Sequence, residues 1–210
     1  MKNVLKRTGR SALSAALVLA ALLGPGATLA YMTDSENTVN TVDPAKLSLR
    51  LDEPAFIDGQ KMRPGDSIAK DPEVTNTDSV PMLVFLTVEV PEADVRTVDP
   101  ETKKIIESRE HELFSYDVSD SWRLLDSYFV EERCAVAYVY GYLEVLPRGE
   151  TTAPLFNSVT FLNILEGEIA KGTVLTVDLN AFGIQSDNVF EGFPVSERLV
   201  YGYETFLKGA

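Results

Sequence analysis

The sequence has one cysteine, Cys134, one histidine, His111, and one tryptophan, Trp122. A single cysteine excludes an intramolecular disulfide, so the fold must hold by packing or by pairing with neighbours. Cys134 stands in the run Cys134-Ala135-Val136-Ala137 and reads as a small buried hydrophobe. A zinc hydrolase needs several nitrogen or sulfur ligands on a preset frame. His111 and Cys134 are 23 positions apart, no ligand spacing repeats, and there is no His-Glu-x-x-His. A Ser/His/Asp triad would have to use His111, inside Arg109-Glu110-His111-Glu112, a charged run that reads as loop. Neither standard glycine-rich phosphate loop is present. Carboxylate pairs such as Glu131-Glu132 carry almost no information in so acidic a chain.

Long apolar runs are also missing. The one candidate, Ala12 to Leu23, is about a dozen residues, short of the roughly 20 a bilayer span needs. It follows Lys2, Lys6, Arg7 and Arg10 and is broken by Gly24-Pro25-Gly26. Thr28-Leu29-Ala30 then offers small residues. This is the layout of a secretory signal peptide over residues 1–30, cleaved between Ala30 and Tyr31. The expected product has no stable membrane insertion and meets a signal peptidase during export.

Beyond Ala30 basic residues are scarce. The full chain has 19 basic and 32 acidic residues; residues 31–210 have 15 and 32, a net charge of −17. That balance excludes nucleic acid and anionic membrane surfaces as partners. It suits an exported, soluble protein and leaves calcium as a possible ligand through oxygen donors; no other cofactor is expected. The 180 residues suit a single domain.

What remains reads as short strands between turns. Leu47, Leu49 and Leu51 alternate with polar residues, the period of a half-buried strand. Pro81–Val90 is the strongest strand, with Val84, Leu86, Val88 and Val90 on one face and Pro81 and Pro91 as its bounds. Leu83 and Phe85 on the other face predict partial cover on both sides. Val95–Val98 and Ile105–Glu107 predict a hairpin, and Cys134–Val145 a central strand. Ser121–Val130 is ambiguous, with Trp122 as a core anchor. Val195, Leu199, Val200 and Tyr203 have helical spacing. Together these predict an all-β sandwich with a few short helices. Pro64-Gly65-Asp66 and Pro147-Arg148-Gly149 predict turns, with Gly65 free to take positive φ. Asn76-Thr77-Asp78-Ser79 predicts a turn closed by side-chain-to-backbone hydrogen bonds. Residues 31–42 are polar and strand-prone but poor in apolar surface: a frayed terminus or a strand that needs a partner.

Four stretches, in order, resemble the TasA/camelysin (CalY) family, whose members are matured by a SipW-type signal peptidase. They are Ala30-Tyr31-Met32-Thr33-Asp34-Ser35-Glu36; Arg63 through Pro81; Tyr138 through Tyr142 with Leu146-Pro147-Arg148-Gly149-Glu150-Thr151-Thr152-Ala153-Pro154-Leu155-Phe156; and Ala181-Phe182-Gly183-Ile184-Gln185-Ser186-Asp187. Met32 replaces a usual aromatic, and Asp78 stands where glycine is common. The resemblance implies a jelly-roll β-sandwich and a secreted, non-catalytic subunit of a bacterial biofilm matrix fibre, at the cell surface or in the matrix. It also implies assembly by donor-strand complementation, the donor being residues 31–42 with Tyr31, Met32, Val39 and Val42. The partners expected are further copies of the chain and other matrix or cell-surface proteins. Pro64, Gly65, Asn76 and Gly149 are then fold-determining turn residues. The competing readings are a secreted metalloprotease, since camelysin relatives are classed as peptidases, and a monomeric surface adhesin or calcium-binding module.

Overall fold

The computed structural model describes residues 33–36, 47–99, 101–165, 169 and 173–208. The expected signal segment and cleavage site lie outside the described residues, as do Tyr31, Met32, Val39 and Val42.

Eleven strands and one short α-helix are described: β1 (Thr33–Glu36), β2 (Leu49–Asp52), β3 (Ser67–Ala69), β4 (Glu73–Asn76), β5 (Met82–Val98), β6 (Ile105–Glu112), β7 (Phe114–Ser115), β8 (Trp122–Val130), β9 (Ala135–Tyr142), β10 (Ser158–Phe161), β11 (Asp178–Gln185) and α1 (Val195–Gly202), which runs into a π turn at Tyr203–Leu207. The main sheet has the order β1-β11-β5-β9-β8, with β6 added along the far half of β5. A three-stranded sheet, β3-β10-β7, and a two-stranded one, β2-β4, supply the second layer. The fold is an all-β sandwich.

The alternation in β5 explains the layering. Met82, Val84, Leu86, Val88 and Val90 enter the core shared with Leu155, Phe156, Val159 and Phe161. Leu83 and Phe85, on the opposite face, are also fully buried. Phe85 lies under α1, whose Gly202 would bring an added Cβ to 3.4 Å from Phe85 Cζ. β9 is central, between β5 and β8. Trp122 opens β8; its indole N–H donates to the Ala153 carbonyl at 2.9 Å, which resolves the ambiguous stretch as a strand anchored in the core.

Three sequence expectations need correction. Pro91 does not end the strand: β5 continues to Val98. Up to Pro91 it pairs with β9, and from Glu92 onward with β6. Proline lacks a ladder donor, so it sits where the strand changes partners. His111 is on β6, opposite Ala93, and not in a loop; the β5–β6 hairpin is longer than its apolar residues indicate because its outer strand is charged. Cys134 is exposed, not buried. It holds the left-handed position, φ 45°, that closes the turn after Glu131–Arg133, so its side chain points away from the apolar strand that follows.

Candidate assembly site

β1 and β8 are the two ends of the strand path β1-β11-β5-β9-β8. At one end, β1 pairs antiparallel with β11, Thr33 opposite Ile184 and Glu36 opposite Ala181. β11 pairs on its other side with β5 along its whole length, Asp178 opposite Glu89 through Gln185 opposite Met82. The seat of β1 is therefore a strand locked into the core: Ala181 and Ile184 are fully buried. Gly183 lets Met82 and Leu49 close against it, since an added Cβ would meet Met82 Sδ at 3.0 Å and Leu49 Cδ2 at 3.2 Å. β1 covers Ala181–Ile184; among the described residues no strand pairs with the outer side of Asp178–Asn180. Of the candidate donor stretch 31–42, four residues are thus seen, paired within their own chain. At the other end is β8. Its outer side has no partner strand among the described residues, and Leu124, Tyr128 and Phe129 are about half exposed there.

The quoted turn residues sit around the second layer. Gly65 has φ +87°; the Asp66 carboxylate accepts the Arg63 N–H at 2.8 Å and closes that turn. Gly149 has φ +77° and donates its N–H to the Asn76 carbonyl at 2.8 Å. Asn76 is fully buried. Its Nδ2 donates to the carbonyls of Val80 and Leu146, both at 2.9 Å, and its Oδ1 accepts the Asp78 N–H at 2.8 Å. Asp78 in turn accepts the Ser48 N–H at 2.9 Å. Asn76 and Gly149, 73 positions apart in sequence, therefore belong to one junction between β2-β4 and the start of β5; Pro64 and Gly65 lie apart from it, beside Phe161, whose carbonyl accepts the Gly65 N–H.

Other polar residues matter that sequence reasoning missed. Lys70, inside the second quoted stretch, is buried, 2.6 Å from Glu53 and 4.4 Å over the Phe56 ring. Asp126 accepts the Tyr203 hydroxyl at 2.9 Å. That bond, with Lys208 nearby, holds the Asp126 carboxyl below its usual range. Glu89 is buried on β5, 2.6 Å from Arg133. Burial pushes its carboxyl above the usual range, outweighing Arg133. The signal for Glu89 was legible as an acid inside the apolar run Leu83–Val90; Lys70 and Asp126 lie in polar stretches and gave none.

Residues 3–101 match the family model described as Camelysin metallo-endopeptidase. No curated protein and no solved structure matches the chain. The description names a metal-dependent activity, so the donors must be weighed against it. Among the described residues no group of three or more His, Cys, Asp and Glu could hold a metal ion. The ring of His111 accepts the Arg109 Nε–H at 3.1 Å, and Cys134 lies in a separate turn. The described donor set does not fit a catalytic metal. The chain is thus similar to the camelysin family over residues 3–101, just under half of its length.

Proposed function

We propose that this chain is a secreted, non-catalytic structural subunit of an extracellular matrix fibre, and that copies join by donor-strand exchange. The donor is the segment 31–42 and the acceptor is the outer side of β11. The observation that supports this most is the pairing of β1 at the sheet edge. A strand held through the backbone ladder bonds equally well to β11 of its own chain or of another copy. Exchange of an identical element between protomers is therefore a low-cost route to association, and a head-to-tail exchange that does not close yields a filament. The polar composition of 31–42 fits a strand bound mainly by its main chain.

The main proposed partner is the chain itself, with other matrix or cell-surface proteins as secondary ones. Nucleic acid is not a proposed partner, given a net charge of −17 beyond Ala30.

The test is negative-stain microscopy and size-exclusion chromatography of protein starting at Tyr31, alongside a form lacking residues 31–42. The longer form is expected to make fibres and the shorter a β-rich monomer. Fibres from the shorter form would refute the donor-strand reading. The family description favours a second reading, a secreted metallo-endopeptidase. Stoichiometric zinc in the pure protein, with casein cleavage abolished by a chelator, would establish that reading instead.

A further inference from the structure

A cavity of about 460 Å³ opens at the end of the main sheet where β5 leaves β11 and β9 for β6. Among the described residues, three carboxylates, Glu89, Glu92 and Asp178, line it with one cation, Arg133; Pro91 and Leu113 are among its apolar walls. The Glu89 side chain is only 6 % exposed. Its Oε1 accepts the Arg133 Nη2–H at 2.6 Å. Its other oxygen, Oε2, is buried and has no hydrogen-bond partner among the described residues. Buried carboxylate oxygens are costly to leave unpaired, and bonds to charged groups are the strong ones. Arg133 is half exposed and, among the described residues, is the only basic group lining the cavity. It leaves the site with an excess of negative charge.

We infer that this cavity is a binding site for a primary alkylammonium group, the chemistry of a lysine side chain. An ammonium has three donors on one small charged head. One would donate to Glu89 Oε2, the oxygen that Arg133 leaves unpaired; the others face Asp178 and Glu92. The apolar walls suit a methylene stem, which such side chains bury while the head is solvated or paired. The described donors do not form a metal-holding group, so an organic cation fits better than a divalent ion. The site takes in Asp178 at the start of β11, opposite Glu89 on β5, and does not depend on the fibre reading.

The experiment is an amide NMR titration of the chain as isolated from its producing cells, at fixed ionic strength. The probes are n-butylammonium, a capped Gly-Lys-Gly peptide, its Nε-acetylated form, and calcium. Saturable shifts at Glu89, Ala135 and Asp178 are expected with the first two probes and not with the acetylated peptide. A tighter fit for the peptide than for n-butylammonium assigns the ligand to a protein partner; equal affinities assign it to free amines. Glu89→Gln is expected to weaken binding about tenfold or more, the scale of one lost charge-assisted bond. Asp178→Asn, at an exposed position, gives the same direction should Glu89→Gln fail to fold. No saturable shift, equal binding of the acetylated peptide, unchanged affinity in the folded variants, or tighter binding of calcium to the same amides would each overturn the inference.

Discussion

Asn76 is fully buried, and its amide holds three backbone groups, of which only the Leu146 carbonyl has a second partner, the Met82 N–H. It ties the end of β4 to Val80, two residues before β5, and to the segment that follows β9. Alanine there would leave the Val80 carbonyl and the Asp78 N–H without this partner, while the Leu146 carbonyl keeps the Met82 N–H. Each orphaned group costs about 1–3 kcal/mol, so Asn76→Ala is expected to lose about 3 kcal/mol in urea unfolding. Asp78→Ala, which releases Ser48 and Ser79, should follow in the same direction with a smaller loss. An unchanged midpoint for Asn76→Ala would mean that water replaces the amide freely. The sequence made Asn76 legible because Asn-Thr-Asp-Ser is turn chemistry. It left Cys134 illegible, since its left-handed backbone is set by the β8–β9 turn and not by its own preference.

At the scale of elements, α1 is informative because its burial rests on a glycine. Gly202 is a poor helix former, costing about 1 kcal/mol against alanine. Its value is close approach: an added Cβ would lie 2.5 Å from Ile184 Cδ1, and both Ile184 and Phe85 are fully buried. Gly141 on β9 makes the matching concession, with Leu199 Cδ1 at 3.0 Å from its added Cβ. Gly202→Val is therefore expected to push α1 off the sheet and cost about 1–3 kcal/mol. The melting temperature should drop, with loss of near-ultraviolet signal from Tyr203. A melting temperature equal to that of the parent would show that α1 does not dock through this glycine. The helix itself was legible from the spacing of Val195, Leu199 and Tyr203, whereas the face of the sheet it covers was not. The length of β5 beyond Pro91 was hidden for a related reason: a change of partner strand leaves no mark in the apolar period.

For the molecule as a whole, charge opposes association. Copies starting at Tyr31, which carry −17, repel one another, and salt screens that repulsion. Acid acts in the same direction. Glu73, Glu89 and Glu92 have carboxyls raised above the ordinary value, chiefly by desolvation. A raised carboxyl takes up its proton first as pH falls. Each proton bound removes one negative charge, so repulsion weakens from neutral pH downward through the upper carboxylate range. Light scattering of the protein starting at Tyr31 is therefore expected to rise as salt is added at pH 7 and as pH is lowered at constant salt. Flat scattering across both series would show that self-repulsion does not limit assembly.

The sequence by itself determined the secondary-structure class, the turns at Gly65 and Gly149, the core face of β5 and the acidic surface. All of these follow from local period, backbone preference or composition, which each residue carries with it. Only the tertiary structure decided that Thr33–Glu36 lies against β11, that Asn76 and Gly149 meet, and that Glu89 is buried beside Arg133. Those are pairings between distant residues, and the free energy that selects among them is shared burial in the assembled sandwich, which no single stretch of chain contains.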